Sequence, residues 1–266
     1  MAISSGRRIL AGLKPGLRVF VSAGASGIGR AIADMLIAHD ARVYVCDVSE
    51  AFLDDFRAAY PEHRASRTDV SNEDEIAAVF RDVAAAFGGL DALVNNAGIA
   101  GPTGAVEEIA PADWKRCIDV DLTGQFLCAH HAVPMLKKAG GGAIVNMSSA
   151  AGRHGYAYRT PYAAAKWGVI GFTQSLAKEL GPANIRVNAI LPGIVEGPRI
   201  ESVIRARAKQ LNLSYDEMVE KYLERVSLRR MVSPYDVAAM VTYLLSPMGE
   251  NLSGQSLGVD ANVETL

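Results

Sequence analysis

Residues 18–38 read Arg-Val-Phe-Val-Ser-Ala-Gly-Ala-Ser-Gly-Ile-Gly-Arg-Ala-Ile-Ala-Asp-Met-Leu-Ile-Ala. The first five, Arg18 to Ser22, form a β-branched and aromatic run suited to a buried strand. From Ile28 onward, Ala31, Ile32, Met35 and Leu36 recur at helical spacing. Between the two lies Ala23-Gly-Ala-Ser-Gly-Ile-Gly29, so the order is strand, glycine turn, helix. Such a turn lets the backbone approach a pyrophosphate, and the helix start offers unpaired N–H groups and a positive dipole end. Glycine pairs also end strands for steric reasons alone, so the neighbouring elements decide.

The next strand, Arg42 to Asp47, ends in an acid about twenty residues beyond the glycines, where a carboxylate accepts the two hydroxyls of an adenosine ribose. The alternative is that Asp47 caps the helix that follows. In the ribose role it selects the cofactor. A carboxylate about 4 Å from a 2′-phosphate costs roughly 4 kcal/mol at an effective dielectric near 20. No Arg or Lys precedes Arg30 in the turn, and Val48, Ser49 and Glu50 follow Asp47, so NAD is favoured over NADP.

Alternation continues to the end of the chain. Strands are expected at 63–67, 91–94, 143–147, 185–190 and 256–259. Helices are expected at 51–60, 73–87, 111–138, 161–180 and 234–245. This pattern predicts an α/β fold, a single-domain doubly wound parallel sheet of Rossmann-like type. The domain covers residues 14–266, after an N-terminal extension at 1–13. Asn95-Asn-Ala-Gly98 ends a strand, at the edge where open α/β sheets bind ligands. Residues 194–230 lose the strand pattern and become helical, with Ser214 and Glu217 as a capping box. That segment is either a helical substrate lid or a packing or oligomer-contact element.

Composition excludes other classes. The 266 residues are 50% hydrophobic and 21% charged, with a formal net charge of −2, so nucleic acid and membrane surfaces are not expected partners. Cys46, Cys117 and Cys128 show no paired spacing, and no His, Cys and acid cluster has metal-ligand spacing, so no metal is expected. No signal-peptide or membrane-span pattern appears, and a cytoplasmic protein is expected.

A second informative stretch runs from Ser148 to Lys166. Tyr162 and Lys166 are separated by three alanines, which puts both side chains on one helix face with little bulk between them. Pro161 suits the first turn of that helix. A free tyrosine is ionised in about one molecule in a thousand at neutral pH, and an ammonium about 4 Å away offsets most of that deficit. Such a pair is poised for general base work. Between Ser149 and Tyr162 lie Arg153, His154, Tyr156, Tyr158 and Arg159. Arg153 or Arg159 either pairs with an anionic group on a substrate or is a solvated, subunit-facing arginine.

Together, the glycine turn, Asn95 to Gly98, Ser149, Tyr162-Ala-Ala-Ala-Lys166 and Pro192-Gly193 occur in the order of the short-chain dehydrogenase/reductase family, which the chain resembles from Leu17 onward. The resemblance implies hydride transfer between a secondary alcohol or ketone and a nicotinamide. Tyr162 would be the general base, Ser149 would hold the substrate oxygen, and Lys166 would bind the ribose and ease ionisation of the tyrosine. It also implies cofactor contacts from Ser22, Ala23, Ser26, Gly27, Ile28, Gly29, Asp47, Asp69, Val70, Asn95, Ala97, Gly98, Pro192 and Val195. A homotetramer packed through helices 111–138 and 161–180 is implied as well.

The sequence departs from the family at several points. Ala23 stands at the first glycine of the turn. Asp121 stands at the usual asparagine of a proton relay, and Gly197 and Pro198 stand near a usual threonine. The competing readings are an NADPH-dependent 3-ketoacyl reductase and a non-catalytic dinucleotide-binding scaffold or sensor.

Overall fold

The computed structural model describes residues 12–263. Residues 1–11 of the expected N-terminal extension lie outside the described residues, while Leu13 is already buried in the core. Seven parallel strands form one sheet in the order β3-β2-β1-β4-β5-β6-β7. They are β1 (Arg18–Ser22), β2 (Arg42–Asp47), β3 (Arg64–Arg67), β4 (Ala92–Asn95), β5 (Gly142–Met147), β6 (Ile185–Pro192) and β7 (Ser256–Val259). The central ones read as near-continuous apolar runs because helices cover both faces.

On one face lie α1 (Gly27–Ala38), α2 (Glu50–Ala59) and α9 (Pro234–Leu245), sharing a core with Ile32, Leu36, Phe56, Val241 and Leu244. On the other lie α3 (Glu73–Phe87), α5 (Gly124–Lys138) and α6 (Thr160–Leu180), around Phe20, Ile76, Leu93, Leu136 and Leu180. The expected helix 111–138 is α4 (Pro111–Ile118) and α5 joined by a π-helical turn, Asp119–Thr123. Two further helices, α7 (Pro198–Leu211) and α8 (Tyr215–Glu224), enclose a small core of Ile204, Ala208 and Met218. Ser214 and Glu217 close their capping box at the start of α8.

The chain reverses direction across the sheet between β1 and β4, which hydrogen-bond side by side. Crevices at such switch points, beyond the carboxyl ends of the strands, are the ligand sites of doubly wound sheets. At the opposite edge, Arg18 clamps Asp91, with Nε and Nη2 each donating to a carboxylate oxygen at 2.8 Å. The three cysteines are free and buried. Burial pushes the Cys46 thiol up to about 12 and that of Cys117 up to about 11, so neither is a ready thiolate. No helix among the described residues is long and apolar enough to cross a membrane.

Candidate active site

A cleft of about 470 Å³ opens over the carboxyl ends of β1, β4, β5 and β6. Its first wall is the glycine turn, where Ala23, Ser26, Gly27 and Ile28 line the space. Ala23 takes the left-handed conformation, φ +48°, that a glycine adopts freely. The turn therefore keeps its course at a cost of about 1 kcal/mol. Gly29 is required by contact, since a Cβ there would sit 1.9 Å from the Ala23 carbonyl oxygen. Ser26 at the N-cap of α1 makes no side-chain cap bond and the first turn carries no acid, which leaves that helix start available to an anionic ligand.

Behind the turn, Asp47 is buried. Its Oδ1 accepts from the Ser49 N–H at 3.1 Å, and its Oδ2 has no hydrogen-bond partner. Ser49, not Asp47, caps α2. A buried carboxylate oxygen left without a donor fits a ribose hydroxyl. Together with the glycine cradle, these residues fit a dinucleotide.

The asparagine pair divides its work. Asn95, the last residue of β4, is fully buried, and its Nδ2 donates to Asn146 Oδ1 at 2.9 Å and to the Gln125 carbonyl at 3.2 Å. Asn96 lines the cleft instead and donates to the carbonyls of Ser22 and Ala23, pinning the glycine turn. Ser22 Oγ accepts from the N–H groups of Asn96 and Ala97 and is buried beneath the turn. Asp69 is held by Arg116 at 2.9 Å and by Ser71, and Val70 packs against Gly124. Asn95, Asp69 and Val70 are not among the residues that line the cleft. Gly98, Pro192 and Val195 do line it.

The catalytic candidates meet on the second wall. Ser149, Tyr162 and Lys166 all line the cleft. Ser149 follows β5 and caps the short turn Ala150–Gly152, its Oγ accepting from Ala151 N–H at 3.2 Å. Pro161 opens α6, placing Tyr162 in the first turn and Lys166 one turn on, with its Nζ 5.6 Å from the Tyr162 ring centroid. That ammonium is almost wholly buried. It donates to the Met147 carbonyl at 3.1 Å and lies 3.5 Å from Asp121 Oδ2. Asp121 comes from the π-helical turn, where the widened backbone aims it inward. Its Oδ1 accepts from Ile99 N–H at 2.6 Å, and its Oδ2 makes no hydrogen bond. An acid at this position thus gives Lys166 a buried counter-charge that an asparagine would not.

The two loop arginines part company. Arg153 reaches the Ser256 carbonyl at 3.0 Å, is exposed and does not line the cleft, because the turn after Ser149 carries it toward β7. Arg159 does line it and is only 4% exposed. Sequence reading misses further lining residues, among them Arg199 at the start of α7 and Tyr222 on α8. Tyr222 shares a hydroxyl–hydroxyl bond of 2.9 Å with Tyr156. Only the proline before Arg199 hinted that a helix begins there.

Comparison with known proteins places this geometry. The family model described as enoyl-(acyl carrier protein) reductase matches residues 22–262. The cis-4-hydroxycyclohexanecarboxylate dehydrogenase of Sinomonas cyclohexanicum is 39% identical over 246 residues, covering 90% of this chain and 93% of the relative. The 3-oxoacyl-(acyl-carrier-protein) reductase FabG of Thermotoga maritima is 35% identical, covering 91% and 96%. Among solved structures, an actinorhodin polyketide ketoreductase with NADPH superposes with a TM-score of 0.90 at 34% identity, covering 94% of this chain and 98% of the other.

Proposed function

Because the chain belongs to the short-chain dehydrogenase/reductase family and is an oxidoreductase, we propose that it is an NAD-dependent dehydrogenase that interconverts a secondary alcohol and its ketone. The observation that carries this reading is the convergence of Ser149, Tyr162 and Lys166 on one cleft with the glycine turn. When bound, the nicotinamide supplies the hydride acceptor or donor. Gly27 to Gly29 and the start of α1 would hold the phosphates of the dinucleotide, and Asp47 Oδ2 would accept from its adenosine ribose. The buried carboxylate favours NAD. The NADPH in the related ketoreductase structure makes a comparison of NADH with NADPH the necessary check.

On the substrate side, Ser149 Oγ donates to the reacting oxygen and Tyr162 Oη moves the proton. Negative charge on Tyr162 Oη is met by Lys166, whose burial keeps the attraction strong. Asp121 holds the lysine in place from behind. Replacing Tyr162 with Phe leaves the cleft and the lysine but removes the proton carrier. The expected result is a fall in kcat of about a thousandfold with cofactor affinity kept. Full activity in Tyr162→Phe discards the mechanism.

The segment 194–230 is read as a lid, because α7 and α8 enclose their own small core and, with Ile194 ahead of them, cover the cleft through Arg199, Val203 and Tyr222. A homotetramer is supported by Trp114, Phe126 and Trp167, which are 40%, 49% and 52% exposed on α4, α5 and α6. Light scattering at a monomer mass would remove that part of the reading.

A further inference from the structure

The cleft carries positive charge that proton transfer does not use. Arg159 is nearly buried, yet no ion pair among the described residues includes it. Its one side-chain hydrogen bond among those residues runs from Nη2 to the Ala100 carbonyl at 2.5 Å, and its Nε is buried without a partner. The guanidinium lies 5.0 Å from the Tyr162 ring centroid and 5.2 Å from that of Tyr156. Arg199 reaches the same Tyr162 ring from α7, at 5.8 Å, and donates to the Gly98 carbonyl at 3.2 Å. It too is absent from those ion pairs. Two guanidinium groups, from separate elements, therefore flank the Tyr162 ring.

A buried guanidinium without an acid is costly, and stacking on aromatic faces offsets only part of the cost. An anion held in the cleft offsets the rest. The cofactor phosphates are not that anion, because the glycine turn and the start of α1 receive them. Glu196 also lines the cleft, is in no ion pair with either arginine among the described residues, and repels an anion on its own side. With Nη2 committed to Ala100, the N–H groups left on Arg159 match a planar, singly charged acceptor. We propose that Arg159 and Arg199 form a carboxylate-binding subsite beside Tyr162. The substrates are then secondary alcohols that carry a carboxylate, or the matching oxo acids. That the anion belongs to the substrate rests on the Tyr162 reading above, whereas the anion site itself does not.

The test separates the two. Cofactor-loaded protein is titrated by calorimetry with cyclohexanecarboxylate and benzoate, which have no alcohol to oxidise, and with their carboxamides. Wild type and Tyr162→Phe are expected to bind the acids about thirtyfold more tightly than the amides. Arg159→Gln is expected to erase that preference, Arg159→Lys to keep part of it, and Arg199→Gln to reduce it about threefold. Arg199 is exposed, so its variant tests the subsite without disturbing the core. In turnover, kcat/KM for hydroxy acids relative to their amides should fall in the same order. Equal binding of acid and amide by wild type overturns the proposal, as does an equal loss of both in the two Gln variants. An acid preference that survives in a fully active Tyr162→Phe would discard the base and leave the subsite standing.

Discussion

The two halves of the cleft are made of different material. The half proposed to take the nucleotide is backbone. Gly27 to Gly29 form it, Asn96 and Ser22 pin it through four hydrogen bonds, and the buried Asp47 adds one carboxylate. The half proposed to take the substrate is side chains brought together from separate loops and helices, among them Tyr156, Arg159, Arg199 and Tyr222. A backbone site is sensitive to single methyl groups and indifferent to charge beyond its one acid. A side-chain site should behave the other way round.

The sharpest way to break this contrast is to add one carbon to a glycine of the turn and to one in the loop between Ser149 and Tyr162. At Gly29 a Cβ would meet the Ala23 carbonyl oxygen at 1.9 Å and Asn96 Nδ2 at 2.6 Å, and both are held in place. Gly29→Ala should destabilise the fold by about 3 kcal/mol and remove detectable cofactor binding. At Gly155, in the loop before Tyr162, a Cβ meets nothing within 4 Å. Gly155→Ala should change stability by less than about 0.5 kcal/mol. Thermal melts and cofactor titration read both variants. Equal effects would mean the halves are not different in kind.

Next in size is the one charge of the nucleotide half. Asp47→Ser removes a repulsion of roughly 4 kcal/mol per unit charge at 4 Å, so the NADP to NAD ratio of kcat/KM should rise by at least about a hundredfold. Arg67, in register with Asp47 on β3, is a cation near to hand once the acid is gone. If wild type already uses NADPH as well as NADH, Asp47 does not face the ribose.

The same contrast explains what was legible in the sequence. Tyr162 and Lys166 could be placed because one helix carries both, and the glycine turn because its constraint is local. The two asparagines could not be told apart. Asn95 ends β4 inside the core, Asn96 lies one residue beyond, and a shift of one residue along a strand exchanges buried and open faces. Asp121 was visible only as a departure in an expected helix, whereas its pairing with Lys166 depends on a π-helical turn that no spacing rule signals. Arg199 sits at the start of a helix, which reads as an ordinary exposed position. Only tertiary folding brings it to Tyr162. Arg153 and Arg159, six residues apart in one loop, looked equivalent until the turn after Ser149 sent one outward.

The smallest effect should come from the hydroxyl pair that ties α8 to the loop before α6. Burial pushes the Tyr156 hydroxyl well above the ordinary tyrosine range, and Tyr222 beside it adds to the shift. The folded value is therefore above the unfolded one, near 10. The contribution to stability is complete below pH of about 10 and is lost as pH rises beyond that. Urea titrations from pH 8 to 10.8 should show this alkaline loss in wild type and a flatter course in Tyr156→Phe. Tyr222→Phe strands the Tyr156 hydroxyl in a buried place and should cost about 1 kcal/mol. Because both rings belong to the substrate half, KM for the alcohol should rise about threefold in Tyr222→Phe. The cofactor dissociation constant should stay unchanged. A change in cofactor affinity as large as the change in KM would show that the two halves are mechanically joined through α8, and that the division between them is only one of composition.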